Sequence, residues 1–295
     1  MTIDIAAART FVATHARILD RHRLNLLLDH ADPGRITTAL EAYANPDGGY
    51  GWALEPDLRS ATSQPAAALH AFEAWGDLDA DIGERASRLC DWLAMVSRPD
   101  GGLPFGLPMP DPAGSAPWWA GADTTESSLQ ITAAVVAAAH RVARHTPAVA
   151  QHPWLAAADA YCLATIRALD GVPPAFIVSF GLQVLDAVAD TVPGAADQIE
   201  RLVAAVPDDG VLPVEGGADG EALHPLDLAP WPETAVRHRL PAGLIERDLS
   251  RLVSLQKEDG GWPIDWNTSS PAAALEWRGY VTVRAIALLR ANGVS

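Results

Sequence analysis

A short Asp-Gly turn recurs along the 295-residue chain, and this repeat constrains the fold more than any other feature. The turn has five copies: Pro-Asp-Gly-Gly-Tyr at 46–50, Pro-Asp-Gly-Gly-Leu at 99–103, Asp-Gly-Val-Pro at 170–173, Asp-Asp-Gly-Val at 208–211 and Glu-Asp-Gly-Gly-Trp at 258–262. Asp-Gly favours the positive-φ geometry that reverses a chain after a helix. Successive copies are roughly 40 to 70 residues apart, which is typical of repeated helix pairs.

The segments between these turns carry apolar residues at helical spacing, and no convincing run alternates apolar with polar residues. The sequence therefore predicts an all-α protein. The predicted helices cover roughly 4–20, 22–30, 34–44, 63–75, 83–96, 125–144, 153–168, 174–189, 194–205, 242–255 and 271–291.

Three segments carry helix-start signals. A serine stands just before a first-turn proline at Ser63-Gln64-Pro65 and at Ser270-Pro271, where the missing proline N–H has no consequence. Asp123-Thr124-Thr125-Glu126 has the spacing of a capping box, which predicts a helix that begins near 125.

The first and last units agree beyond the turn, since each has an acidic, Trp-bearing loop followed by a helix that opens Pro-Ala-Ala-Ala-Leu, at 65–69 and 271–275. Small residues let helices crowd around an interior, so we expect these to be inner helices, with the charged helices at 83–96, 194–205 and 242–255 outside. Matching ends also suit a ring. The prediction is one α/α toroid over 1–295, with repeats clearest over 34–291.

Composition limits the partners and the compartment. Hydrophobic residues make up 49% of the chain, enough for a sizeable core, and the formal charge of −16 would repel nucleic acid and anionic lipid. The N-terminus lacks the pattern of a secretory signal, and the most apolar stretch, 131–139, is too short to cross a bilayer. Cys90 and Cys162 are interpreted as core residues. We expect a cytoplasmic protein with no membrane span.

The Asp-Gly-Gly-aromatic turns, most clearly Gln-Lys-Glu-Asp-Gly-Gly-Trp at 256–262, resemble the repeat of terpenoid cyclases and protein prenyltransferase β-subunits, which fold as α/α toroids. The resemblance covers roughly 34–291 and implies the fold more strongly than the chemistry. It implies a central cavity for a small, mostly apolar isoprenoid ligand, and class II cyclases of this family start cyclisation by protonation from an Asp-rich D-x-D-D motif.

That motif is absent, and the nearest acidic residues lie in loops before inner helices. If ring closure gathers these loops at one mouth, crowded carboxylates raise one another's pKa and one becomes a general acid. The acidic segment at 77–81 is interpreted as a solvated loop. The alternative is that the loop acids only cap helices or brace the mouth. The candidate catalytic residues are Glu55, Asp57, Asp123 and Glu126.

Ten Trp residues against five Phe give the chain an unusual aromatic balance, and indole is the best face for a cation. Those beside the turns either line a cavity or wedge adjacent repeats together; the wedge is favoured for Trp52 and Trp262, and the cavity for Trp118, Trp119 and Trp266. Arg59 either pairs with Glu55 or Asp57 or holds an anionic group. The candidate substrate-binding residues are Trp52, Arg59, Gln64, His70, Trp118, Trp119, Asp265, Trp266, Trp277 and Tyr280.

The zinc ligands of prenyltransferases are not reproduced: Asp159 precedes Cys162 by three residues, and no His lies near Tyr280. No metal or organic cofactor is predicted, although a diphosphate substrate could bring Mg²⁺ with it. The leading hypothesis is a terpenoid-cyclase-like toroid with possible protonation-initiated cyclisation. The alternatives are a carbohydrate-active α/α barrel with paired carboxylates and a non-catalytic binding or scaffold toroid; the oligomeric state is open.

Overall fold

A computed structural model describes residues 2–294, and this part of the chain is mostly helical, which confirms the all-α class. One short antiparallel pair, β1 (Leu212–Pro213) and β2 (Ala222–Leu223), interrupts the helices. The α-helices in these residues are α1 (Ile5–His15), α2 (Ile18–Asp29), α3 (Gly34–Leu40), α4 (Pro65–Trp75), α5 (Glu84–Val96), α6 (Pro117–Ala120), α7 (Leu129–Ala143), α8 (Pro147–Ala150), α9 (Pro153–Ala168), α10 (Ala175–Ala187), α11 (Ala195–Val203), α12 (Pro225–Leu228), α13 (Ala242–Ser254) and α14 (Pro271–Ala291).

Two helix starts follow their predicted signals and one does not. Pro65 and Pro271 occupy the first turns of α4 and α14, and the Ser270 hydroxyl accepts the Ala273 N–H at 3.1 Å. The predicted start near 125 is wrong, because residues 123–126 form a turn of their own and α7 begins at Leu129.

The Asp-Gly turns have one shared geometry. Gly48, Gly101, Gly171, Gly210 and Gly260 all have positive φ, as predicted. In the three best copies the aspartate accepts a backbone N–H two residues later at 3.0 Å, from Gly49, Gly102 and Gly261. This side-chain bond fixes the reversal, so the repeat in the sequence is also a repeat in the structure.

Four of these turns lie against a helix of another unit, and the turn at Gly171 does not, because a Cβ built there meets nothing within 4 Å. A Cβ built on Gly48 would meet the Arg88 carbonyl of α5, one on Gly101 the Ala157 carbonyl of α9, and one on Gly210 the Leu244 side chain of α13. The Gly260 turn, the last of the series, lies against Ala7 of α1. The glycines therefore permit a close approach of backbone to helix at successive positions.

The apolar helices α4, α7 and α10 pack against one another in that order, α10 then contacts α12, and α12 contacts α13. At the other end, α14 packs against α13, α1 and α2. Gln256 joins the two ends further, because its side chain accepts the Asp4 N–H and donates to the Asp4 carbonyl, each at 2.8 Å. The C-terminal helices thus lie beside the N-terminal pair.

Across residues 2–294, no helix combines the length and the hydropathy that spanning a membrane requires.

Candidate functional site

A chain of hydrogen-bonded polar side chains runs between α4 and α14. His70 and Glu73 lie three residues apart on α4, so they share one face. The two ring nitrogens of His70 contact carboxylates, Nε2 with Glu55 at 2.8 Å and Nδ1 with Glu73 at 2.7 Å. The other Glu73 oxygen accepts the Tyr280 hydroxyl of α14 at 2.9 Å. We call Glu55, His70, Glu73 and Tyr280, together with Arg284 and Asp227 described below, the interior cluster.

The charge state of His70 follows from this geometry. A neutral imidazole has one N–H, whereas each ring nitrogen here faces a carboxylate oxygen, so both must donate. Burial by itself would lower the pKa of His70, but Glu73 and Glu55 outweigh it and raise the pKa to about 9. Burial would raise the pKa of Glu73, and His70 with nearby arginines lowers it to about 2. At neutral pH His70 is therefore a cation held between the carboxylates of Glu55 and Glu73.

Arg284, one turn beyond Tyr280 on α14, extends the cluster toward α12. Its guanidinium donates to Asp227 at 3.1 Å. Burial opposes ionisation of Arg284, but Asp227, Tyr280 and Glu73 raise its pKa. Of this side chain 39% is accessible, as is 29% of Asp227 and 21% of Glu73. Three ionised side chains of the cluster are thus part-buried and keep an accessible edge.

A second set of ion pairs continues from the cluster along the same interior. Arg23 of α2 donates to Asp77 at 2.7 Å, and its guanidinium lies 5.5 Å from the centre of the Tyr280 ring. Arg141 of α7 pairs with the other Asp77 oxygen at 3.4 Å and lies over Trp231. Compensated charges therefore extend from the interior cluster to Asp77 and its two arginines. The expectation that the acidic segment 77–81 is only a solvated loop is wrong for Asp77.

Asp57 joins the loop between 51 and 63 to α14. One carboxylate oxygen accepts the Ser269 N–H and the other the Trp277 Nε1–H, each at 2.7 Å, and the side chain is buried. Arg59 ion-pairs with Glu276 at 2.6 Å, so the predicted pairing with Glu55 or Asp57 is wrong. The reason is that α14 lies against this loop and supplies its own carboxylate. These contacts hold the loop between 51 and 63 against α14.

Asp123 and Glu126 lie apart from the interior cluster. Asp123 is exposed and accepts the backbone and hydroxyl hydrogens of Thr125 at 2.7 Å, and these bonds, with the Glu126 N–H, lower its pKa. A carboxylate with a lowered pKa is a poor general acid. Glu126 is exposed as well. Within the described chain no hydrogen bond or ion pair links either residue to Glu55 or Asp57.

The tryptophans divide into three groups. Trp262 is buried between its turn and α14, donating to the Leu252 carbonyl at 2.8 Å, which fits the wedge. Trp52 is 55% exposed, so the prediction that it packs between adjacent repeats is wrong. Its left-handed backbone directs the ring outward. Trp119 is buried and stacks on Phe105 at 4.7 Å, which places it in the core, and Trp118 is exposed.

The remaining candidates lie near the interior cluster or fix a loop. Trp266 contacts Trp277 edge-on at 5.2 Å, and Trp277 contacts the rings of His70 and Tyr280. Asp265 is exposed, and its pKa is raised by desolvation and then by the charge of Asp227. Gln64 is fully buried, where its side chain accepts the Leu107 N–H and donates to the Leu107 carbonyl, so it is structural.

Sequence reasoning missed Glu73, Arg284 and Asp227. A signal for Glu73 was present, because it is the single acidic residue of the otherwise apolar α4 and follows His70 by three residues. Asp227 carried a weaker one, since it closes a capping box with His224. Nothing local distinguished Arg284 from the other arginines of α14.

No family model matches the chain, and no curated protein matches it either. In residues 2–294 no group of three or more His, Cys, Asp or Glu side chains is arranged to hold a metal ion. Two hollows of about 370 and 490 Å³ lie elsewhere, beside Arg35 and beside Trp154. The interior cluster is therefore the candidate functional site.

Proposed function

We propose that the helices form a closed α/α toroid. The contacts that support this are the docking of the Gly48, Gly101 and Gly210 turns on the next unit, the docking of the Gly260 turn on α1, and the packing of α14 against α1 and α2. In such a ring the interior cluster, with residues from α4, α12 and α14, faces the central cavity, and the ion pairs of Asp77 extend the charged lining to α2 and α7.

We infer that the interior binds a small polyhydroxylated ligand of the carbohydrate class. The observation that carries this is the partial accessibility of three ionised side chains, Arg284, Asp227 and Glu73, inside the fold. An apolar ligand would take their hydration away and return no hydrogen bonds, which is costly. Sugar hydroxyls replace that hydration, because each both donates and accepts. Trp266 adds an indole at which the C–H face of a sugar ring can pack.

Acid/base cleavage of a glycosidic bond is the reaction that this set of groups serves. Asp265, with its raised pKa, is the candidate acid that protonates the leaving oxygen, and Asp227, ion-paired with Arg284, is the candidate base that takes a proton from the attacking water. One proton is given and one is taken, so each turnover consumes one water.

Binding is tested by calorimetry with neutral, amino and uronic monosaccharides and their short oligomers. We expect at least one to bind and Arg284→Gln to weaken that binding at least 10-fold. Arg9→Gln, which removes an exposed ion pair with Asp29, is the matched control and should bind like the wild type. If the whole panel fails to bind the wild-type protein, the proposal is wrong. Hydrolysis is read separately, with nitrophenyl glycosides and the Asp265→Asn variant.

A second candidate function is the terpenoid-cyclase-like one, favoured by the aromatic wall of Trp266, Trp277 and Tyr280 beside Glu55 and His70. Indole and phenol faces stabilise carbocations, and the proton that lies between His70 Nε2 and Glu55 is then the candidate donor proton. Incubation with prenyl diphosphates, with and without Mg²⁺, and with squalene tests it. A cyclised product that disappears in Glu55→Gln would support this function over the first. If neither ligand class binds, a non-catalytic scaffold remains.

A further inference from the structure

The loop between 44 and 63 contains two consecutive non-glycine residues in the left-handed region, Trp52 with φ 55 and Ala53 with φ 61. This backbone is unfavourable for residues with a Cβ, and it persists only where surrounding contacts impose it. The Trp52 N–H donates to the Ser60 carbonyl at 2.8 Å, and the Gly51 N–H to the Tyr43 carbonyl at 2.9 Å. The loop is thus held in a strained conformation by its own hydrogen bonds.

The result of this conformation is an exposed and fixed indole. Trp52 is 55% exposed, although its Nε1–H donates to Asn45 Oδ1 at 2.9 Å. The Asn45 amide is itself fixed, because it donates to the Ala61 carbonyl at 2.9 Å and to the Ser63 hydroxyl at 3.0 Å. The ring therefore keeps one orientation before any partner arrives, which lowers the entropic cost of binding.

The surroundings of Trp52 indicate what it binds. Among the described residues it is the only exposed large apolar side chain of this loop, so the patch is too small for a protein interface. The Asn45 amide, which accepts the Trp52 Nε1–H, gives it a polar border. A flat apolar ring with a polar border matches a sugar, which has an apolar C–H face and a rim of hydroxyls.

We propose that Trp52 is a surface saccharide-binding platform, separate from the interior cluster, that stacks on one ring of a longer glycan. This inference rests on the proposed carbohydrate function for its choice of ligand class. It adds a second point of attachment, so a polymer that reaches both sites binds more tightly than a monosaccharide.

Native affinity electrophoresis in gels that contain soluble xylan, mixed-linkage β-glucan or polygalacturonate tests the platform. We expect at least one polymer to retard the wild type and Trp52→Ala to weaken that retardation at least 5-fold. Trp52→Phe should restore part of it. Met95→Ala, which removes another exposed apolar side chain, is the control and should migrate like the wild type. Thermal melting of each variant verifies that it is folded.

The outcomes separate the two proposals. If Trp52→Ala is retarded as strongly as the wild type, the platform is wrong and the interior site is untouched. If polymers retard the wild type through Trp52 but no monosaccharide binds in calorimetry, the platform stands and the interior site is wrong. If no polymer in the panel retards the wild type, the platform is overturned.

Discussion

His70 lets two carboxylates approach each other inside the protein. Glu55 and Glu73 each lie within 2.8 Å of a ring nitrogen, and without the cation between them one would have to take up a proton. Because both His70 nitrogens donate, the ring has no lone pair with which to act as a base at neutral pH. Its role is to position and balance charge, and Glu73 is the most accessible side chain of this trio.

The pH dependence of stability follows from the pKa of His70. The folded value of about 9 lies above the ordinary 6.5, so the stabilisation is fully present below about pH 6.5 and is lost as the pH rises through 9. We expect a loss on the order of 1–3 kcal/mol between pH 6.5 and 9.5. Urea unfolding of the wild type and of His70→Gln measures it. An equally steep decline in the variant would contradict this assignment.

Trp277→Phe tests the hydrogen bond that holds the loop between 51 and 63 against α14. The substitution keeps an aromatic ring but removes the N–H that Asp57 Oδ2 accepts at 2.7 Å, and it leaves that buried oxygen without a partner. We expect a loss of about 1.5–3 kcal/mol of stability, measured by urea unfolding. Trp118→Phe, on an exposed residue, should change stability by less than about 0.5 kcal/mol. Equal effects of the two would mean that the hydrogen bond contributes nothing.

The sequence predicted which loop acids to examine, but not how they are used. Glu55 and Asp57 precede an inner-type helix, which made them candidates, and both are buried. Their partners lie 15 and 220 residues further along the chain, His70 in the helix that follows and Trp277 in α14, so local spacing could not reveal that both acids are already bonded. Arg284 was missed because its partner Asp227 lies 57 residues away.

At the scale of elements, the Asp-Gly turns act both as chain reversals and as docking points. The positive φ of each first glycine is a local requirement that the sequence displays. The contact of that glycine with a helix of the next unit is not local, and only the structure gives its partner. A substitution that only strains the positive φ should therefore lower stability modestly. One that also clashes with the neighbouring helix should lower it more.

Two glycines separate these effects. Gly171 has φ 72 and nothing within 4 Å of a built Cβ, so Gly171→Ala should cost only the left-handed backbone, about 1–2 kcal/mol. Gly260 has φ 89, and its Cβ would lie 2.2 Å from the backbone of Ala7. Gly260→Ala should cost about 1–3 kcal/mol more, since α1 must move. Thermal and urea unfolding of the pair decide this; similar losses would show that the turn does not need its contact with α1.

Helix bounds were predictable where the start signal and the apolar face agree. α14 begins and ends as predicted, because Ser270-Pro271 caps a continuous small-residue helix. The start of α7 was misjudged, because the Asp123 side chain bonds to Thr125 in a separate turn, and the backbone of 127 pairs with 104 before the helix begins. The four-residue helices α6, α8 and α12 were missed, since one turn leaves no periodicity to detect.

For the molecule as a whole, the two ends of the chain are coupled by packing. Phe11 of α1 is buried, its ring carbons would lie within 3 Å of a Cβ on Gly261, and Arg278 of α14 lies over it at 4.4 Å. Turn, first helix and last helix thus share one side chain. The sequence indicated this only through the similarity of its first and last units, since no local pattern pairs Phe11 with Gly261.

Phe11→Ala should therefore loosen both ends of the chain at once. Removing a buried phenylalanine costs about 3–5 kcal/mol, and amide hydrogen exchange should accelerate in α1, in the turn at 257–262 and in the first half of α14, while α7 and α10 stay protected. Phe105→Ala, which unstacks Trp119, is the control, and its effect should be confined to the loop around 104–122. Faster exchange in α1 and α2 alone would contradict the coupling, because the last helix would then be stable without the first. Joint loosening would mean that the arrangement of Glu73 and Arg284 depends on the contact between the ends, since α14 carries Arg284 and the partner of Glu73.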